Sequence, residues 1–238
     1  MSRLMLLGLV LLGALFGAGG TWLAERAAPG ELGPVDKARI GAEVRAYLLA
    51  NPDVIPQAMQ RLRDRETGRI VAGSRRAIET PVGSAWAGNP KGDVTVVEYY
   101  DYNCGYCRAV LPIIDQLIKS DPNVRVVYRE LPVLAPSSRD AARASIQAAE
   151  QGKFARFHQA LYAGGRVTTA SIAAAARTAG VDLSKPSARA DRELAQNLET
   201  AQRLGMSGTP SWVIGDRVVS GALPLDQLKE AVAAARAR

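Results

Sequence analysis

Polar and apolar positions change period several times along this chain, and each change marks an element. Residues 4–24 (LMLLGLVLLGALFGAGGTWLA) are uncharged and apolar throughout. Residues 36–50 place Ile40, Val44, Tyr47 and Leu48 at three- and four-residue steps, the spacing of one helical face. Asn51-Pro52-Asp53 breaks that pattern and predicts a second helix, with Asn51 as N-cap, Pro52 in the first position and a stripe of Val54, Ile55, Ala58, Met59 and Leu62. The turn-rich segment 81–93 (PVGSAWAGNPKGD) opens a new unit. Val94 to Tyr100 (VTVVEYY) is then an almost unbroken β-branched and aromatic run, as expected of a strand buried on both faces. A helical stretch to about Lys119 follows, crossed by Pro112, and Val124 to Leu131 (VRVVYREL) reads as another strand. The short connections predict a right-handed βαβ unit.

From 137 to 205 the pattern is helical and Ala-rich. One segment spans about 138–163 with an interruption at Gly152, a second ends at Gly180 as a C-cap, and a third starts near Pro186 with Leu194, Leu198 and Leu204 on one side. Trp212-Val213-Ile214 and Arg217-Val218-Val219, joined by Gly215-Asp216, predict a hairpin with a type II′ turn. A last helix over about 225–236 turns Leu225, Leu228 and Val232 inward. The order βαβ, helical block, ββα predicts an α/β protein of thioredoxin-like fold over residues 81–238, with a helical insertion at about 137–205. The N-terminal helical segment, 36–80, is too slight to bury its own stripes. It must pack on the main domain or on copies of itself, and a homo-oligomer formed through it is the expectation.

Charge excludes one class of partner. The 30 Lys and Arg against 23 Asp and Glu leave a net charge of +7, but the arginines are interleaved with acids, as in RLRDRETGR at 61–69. Nucleic-acid binding needs that charge gathered on one face or tail, so no nucleic acid is expected. The N-terminus says more. As a helix, residues 4–24 reach about 31 Å, enough for a hydrocarbon core of about 30 Å. A short basic start before an apolar run is an export feature. Ala18-Gly19-Gly20 offers a small-residue cleavage site, whereas Trp22-Leu23-Ala24 continues the apolar run beyond it. Residues 1–24 are therefore a signal peptide or a membrane anchor, and the Pro- and Gly-rich 25–35 a linker. The chain is exported either way.

Export changes the meaning of Cys104 and Cys107, the two cysteines of the chain. Structural bridges in oxidising compartments usually come in numbers, and a bridge closing so small a loop removes little unfolded-state entropy. The order strand, Cys104-Gly105-Tyr106-Cys107, helix places Cys104 at a helix N-terminus, where unpaired N–H groups and the helix dipole stabilise a thiolate. Cys107, one turn further in, lies within reach of a mixed disulfide. Cys104 is thus the expected nucleophile and Cys107 the resolving thiol, and the redox-active pair needs no other cofactor. A closed zinc site wants four ligands, typically Cys and His. The single histidine, His158 in FARFHQAL, is expected to be structural or on the surface. No metal site is expected within one chain, which leaves only a site shared between subunits. Thr209-Pro210 precedes the hairpin; a cis proline there would hold the chain beside Cys104 with backbone groups free to pair with an extended substrate. An ordinary turn proline is the alternative. Glu98 is the odd residue of its strand. It is either a buried carboxyl of raised pKa that shuttles the proton of Cys107, or a solvated edge residue.

EYYDYNCGYCRAVLP at 98–112, GTPSW at 208–212, the helical insertion and the export segment together resemble the DsbA family of bacterial periplasmic thiol-disulfide oxidoreductases, over about residues 82–238. AYLLANPDVIPQAMQRL at 46–62 resembles the N-terminal region of the ScsC/Com1-type members, where that region can mediate oligomerisation. The resemblance implies a reactive Cys104, a buried Cys107, a cis Pro210 after Thr209, an acid at Glu98, and substrate contacts at Thr209, Pro210, Gly105 and Tyr106. It implies a protein of the periplasm, soluble after signal cleavage or held to the inner membrane by residues 4–24. Its partners would be unfolded or misoxidised exported polypeptides and a membrane redox partner of DsbB or DsbD type. One departure matters: strong oxidases of the family usually carry Cys-Pro-His-Cys, and Gly105-Tyr106 removes that positive group, implying a weaker oxidant. Thr209 is more like the isomerase-type members. Disulfide oxidase and isomerase both stay open, against a copper- or zinc-handling dithiol protein and an envelope scaffold with a thioredoxin-like body.

Overall fold

The structure is a computed structural model that describes residues 33–237. The export segment 4–24 and most of the linker lie outside the described residues. Among the described residues no helix is long and apolar enough to cross a membrane. Two compact units divide between Ala58 and Met59.

In the first unit, helix α1 (Pro34–Ala50) starts with proline in its first turn, where the missing N–H costs no bond. It stops at Asn51, whose backbone N–H and side-chain amide both donate to the Tyr47 carbonyl. None of its side chains is buried, and Val35, Ile40, Val44, Tyr47 and Leu49 are exposed. Helix α2 (Val54–Glu79) continues well past Leu62, where its apolar stripe fades. Arg, Gln and Glu keep it helical there through good intrinsic propensity and pairs such as Gln60 Nε2 to Asp64 Oδ1 at 2.7 Å.

The second unit is built on a five-stranded sheet in the order β1-β3-β2-β4-β5. Its strands are β1 (Trp86–Gly88), β2 (Val94–Tyr100), β3 (Val124–Glu130), β4 (Ser211–Ile214) and β5 (Arg217–Ser220). Strand β1 was not expected: it has only three residues, inside the turn-rich entry segment, and pairs antiparallel with β3. β2 lies parallel to β3, from Val94↔Val124 to Tyr100↔Glu130, and antiparallel to β4, with Glu98 opposite Trp212. Being central and covered on both faces explains why its sequence is apolar at consecutive positions. β4 and β5 form the expected hairpin, with Gly215 at φ 60°, the positive value that a type II′ turn requires at its first central residue.

Helix α3 (Gly105–Ser120) joins β2 to β3 and runs through Pro112. Helices α4 (Pro136–Glu150), α5 (Phe154–Ala163), α6 (Thr169–Ala179) and α7 (Ala190–Arg203) form the insertion, and α8 (Leu225–Arg236) closes the chain. Gly180 ends α6 in the left-handed conformation, φ 70°. Alternation along β2 divides the core in two. Val96 and Tyr100 point to the larger cluster, with Cys107, Val110 and Ile114 of α3 and much of the insertion. Val97 and Tyr99 point to the smaller one, with Val71 and Ile78 of α2 and Ala201 and Leu204. By the same period-two rule Glu98 belongs to the face of α3. His158, on α5, is buried in the larger core among Tyr100, Tyr102, Tyr128, Phe154 and Tyr162 and is not a surface residue.

Arg129 on β3 ties α2 to the sheet. Its buried guanidinium donates to the carbonyls of Ala77, Ile78 and Thr80 at the end of α2 and meets Glu193 of α7 at 3.4 Å. A cation among the orphan carbonyls of a helix C-terminus is favourable on both hydrogen-bond and dipole grounds. Removing it leaves those buried carbonyls without their donor and takes one of two cations from Glu193, which keeps Arg189 at 2.7 Å. Arg129→Met is expected to lower stability by about 3 kcal/mol in urea unfolding. Arg143→Ala, which breaks the exposed pair with Asp191, is expected to cost under about 1 kcal/mol. Equal losses would contradict this account.

Candidate active site

The chain leaves the C-terminal end of β2 through a turn held by one carboxylate. Asp101 Oδ1 accepts the Asn103 N–H at 2.8 Å, and Oδ2 accepts the N–H groups of Val133 and Leu134 at 2.9 and 3.0 Å. Tyr162 donates to the Asp101 carbonyl at 3.1 Å, and the Asn103 amide donates to Ser138 Oγ at 2.9 Å. So braced, the turn delivers Cys104 as the N-cap of α3, φ −82° and ψ 114°, with its Sγ accepting the Cys107 N–H at 3.3 Å. That bond uses one of the four orphan N–H donors of the helix to hold sulfur.

Across from it lies the turn before β4. The Thr209–Pro210 peptide is cis, and the Cys104 thiol donates to the Thr209 carbonyl at 3.2 Å. The sequence-predicted residues Cys104, Cys107, Thr209 and Pro210 therefore meet, although 105 positions separate Cys104 from Thr209. Gly105 and Tyr106 stand on the outside of the motif, and the Tyr106 ring is 71% exposed. Both thiols are free. Cys104 sits at the edge of the surface, 5% exposed, whereas Cys107 is fully buried. Loss of solvent pushes the Cys107 thiol well up, and the charge of Glu98 pushes it further.

Glu98 lies under the motif on β2, fully buried, with neither carboxyl oxygen bonded to any atom of the described residues. Burial, and secondarily the charge of Cys104, pushes its pKa up to about 8. The carboxyl and the Cys107 thiol thus share a dry site in which ionisation of one opposes ionisation of the other. Thr209 Oγ1 is also buried without a partner among the described residues. Asp101 escaped sequence reasoning. The local signal is its Asx turn to Asn103, but its hold on residues 133–134 is non-local.

A family profile described as the DSBA-like thioredoxin domain matches residues 95–233. One described as the copper resistance protein ScsC N-terminal domain matches residues 36–67. A linker-deletion mutant of Proteus mirabilis ScsC superposes with a TM-score of 0.71 at 27% identity, covering 88% of this chain and 99% of that one. A thioredoxin-like oxidoreductase from Silicibacter pomeroyi is 40% identical with a TM-score of 0.65, covering 69% and 98%. Among curated sequences, Na(+)/H(+) antiporter NhaA 1 of Salinispora arenicola is 32% identical over 156 residues. That match takes in 62% of this chain but 24% of the antiporter, so the chain spans about a quarter of the curated relative.

The raised pKa of Glu98 has a consequence for stability. The unfolded chain loses this proton near the ordinary value of 4.5 and the folded chain near 8. Between those values the folded state holds the extra proton, so stability falls as pH rises through that window and levels off above it. The full effect is up to about 5 kcal/mol, at 1.36 kcal/mol per unit. Glu98→Gln is expected to remove this slope, matching wild type near pH 4.5 and exceeding it at pH 8. Urea unfolding of both proteins in reductant from pH 5 to 8 checks it, and parallel curves would contradict it.

Proposed function

The chain belongs to the DSBA-like thioredoxin domain family, and from that premise we propose that it is a periplasmic thiol-disulfide oxidoreductase that rearranges disulfides of exported polypeptides. The observation that carries this reading is the Cys104 sulfur, held as a helix N-cap and set 3.2 Å from the carbonyl beside the cis proline. A thiolate there attacks one sulfur of a substrate disulfide. The Cys104–substrate bond forms, the substrate S–S bond breaks, and the other substrate sulfur leaves as a thiolate. An extended substrate pairs with the backbone at Thr209, with Gly105 and Tyr106 flanking the reacting sulfur.

The mixed disulfide then has two exits. Cys107 can pass its proton to ionised Glu98 and attack Cys104, which reduces the substrate and oxidises the pair. Alternatively, a second thiolate of the same substrate attacks its own sulfur in the mixed bond, forming a new substrate disulfide and returning Cys104 as thiolate. The burial that raises Cys107 disfavours the first exit, because the attacking species is the thiolate. Thr209 before the proline, more like the isomerase-type members, supports isomerisation as the net reaction, with a DsbD-type membrane partner keeping the pair reduced. The exposed Val35, Ile40, Val44 and Tyr47 of α1 support assembly of several copies through the N-terminal helices. The export features of residues 4–24 support the periplasm.

Reactivation of scrambled-disulfide ribonuclease by the full-length chain tests the reading. Reactivation is expected, absent in Cys104→Ser, with covalent substrate complexes accumulating in Cys107→Ser. Rapid oxidation of reduced ribonuclease without reactivation would make the protein an oxidase instead. Silence in both assays, with tight copper(I) or zinc binding by the reduced form, would make it a metal-handling protein. Activity undiminished in Cys104→Ser would remove the motif from the function altogether.

A further inference from the structure

Large apolar side chains that stand open to water are not scattered over the described residues. They fall in two groups. One runs from Val35 to Leu62 on the N-terminal helices. The other is Tyr106, Val133 and Leu134, exposed by 71, 50 and 52%. Between residues 63 and 237 no other large apolar side chain is exposed. Tyr106 belongs to the reactive motif, whereas Val133 and Leu134 lie on the loop that joins β3 to α4.

Sheet order brings that loop to the thiols. β2 lies between β3, which runs parallel to it, and β4, which runs antiparallel. The loop after β3 and the Thr209–Pro210 turn before β4 therefore emerge at the same end of the sheet as the Cys104 turn, one on each side of it. Hydrogen bonds fix the loop there. The Leu131 N–H donates to the Tyr100 carbonyl at 2.7 Å, and those of Val133 and Leu134 donate to Asp101 Oδ2 at 2.9 and 3.0 Å. The Asn103 amide, next to Cys104, donates to Ser137 Oγ and Ser138 Oγ at 3.1 and 2.9 Å. Pro132 and Pro136 restrict the backbone on either side. The backbone is thus held to the reactive turn while two apolar side chains stay half open. Water on them is a cost that an apolar partner removes, and a surface already ordered loses little freedom on binding.

We propose that Val133 and Leu134 are a specificity-determining surface for exchange at Cys104, taking an apolar side chain within about three residues of the cysteine of an extended substrate. This selectivity requires Cys104 to be the attacking sulfur, the reading proposed for the site. The substrate backbone pairs on the β4 side, at Thr209. Two inter-strand steps of about 4.8 Å lead from there to the β3 side, a span of about three residues in a chain that advances about 3.3 Å per residue. A serine at that position gains no apolar contact. An aspartate loses water to two apolar neighbours and finds no partner in return.

Capped peptides X-Ala-Ala-Cys-Ala-Ala-X, with X leucine, serine or aspartate and the cysteine in a disulfide with thionitrobenzoate, test this on the reduced full-length protein. Cys104 attacks the peptide sulfur, the Cys104–peptide bond forms, and thionitrobenzoate leaves as a coloured thiolate. The leucine peptide is expected to react with a kcat/KM about ten-fold above the serine peptide, the low end of the roughly 10- to 200-fold that one apolar contact gives in a closed pocket. The aspartate peptide is expected to be slower than the serine peptide. In the double variant Val133→Ser and Leu134→Ser the leucine-to-serine ratio is expected to fall to about one, and Leu134→Met alone is expected to keep it. A general change in Cys104 reactivity moves both rates together and leaves that ratio where it is. Equal rates for leucine and serine peptides in the unaltered protein would overturn the proposal, whether or not the double variant folds. So would a ten-fold ratio that survives in the folded double variant. The disulfide of free cysteine with thionitrobenzoate separates the two levels of failure. Its turnover alongside equal peptide rates would sink the specificity surface alone, and silence with every disulfide would remove exchange at Cys104 as well.

Discussion

The geometry of the site depends on strand β2 being paired on both edges and covered on both faces. Its hydrogen bonds to β3 and β4 fix where Tyr100 ends, and the Asp101 turn then has one way to leave the sheet. That exit sets the start of α3 and places Cys104 where helix N–H groups point at sulfur. The same pairing with β4 brings the Thr209–Pro210 turn alongside. A shift of one residue between β2 and β4 would turn Glu98 away from α3 and move the Thr209 carbonyl from Cys104. Register, more than any single contact, holds the constellation together.

Within that frame the dry pocket sets the chemistry. Both a carboxyl and a thiol are sealed from solvent beside a cysteine that is itself only 5% exposed, and neither Glu98 oxygen has a donor among the described residues to stabilise its charge. Desolvation therefore opposes ionisation of both Glu98 and Cys107. Glu130 is the contrast on the same sheet. It is equally buried, but Tyr100 and Ser145 donate to it and the Asn197 amide donates to its backbone carbonyl. The satisfied carboxyl anchors a hydrogen-bond chain, and the unsatisfied one stays buried without a donor.

Much of this was legible in the sequence because buried strands and amphipathic helices leave local periods. VTVVEYY, VRVVYREL, the Gly215-Asp216 hairpin and the helix at 225–236 all carry their signal within one window. Strand β1 does not, since three residues cannot show a period, and the later half of α2 barely does, since its fully buried apolar side chains, Val71 and Ile78, stand two turns apart among charged residues. His158 read as structural or exposed because nothing near it in sequence reveals Tyr100, Tyr128 and the other rings that enclose it.

The sequence by itself determined the element order, the pairing of two thiols one helical turn apart, and the position of that pair between a strand and a helix. All of these rest on neighbours within a few residues. Only the tertiary structure decided that Glu98 is sealed from water, that Thr209 meets Cys104, that Asp101 holds residues 133–134, and that Arg129 holds the end of α2. Each of those depends on segments tens of residues apart coming together. Burial is a property of what surrounds a side chain, and a linear pattern does not encode the surroundings.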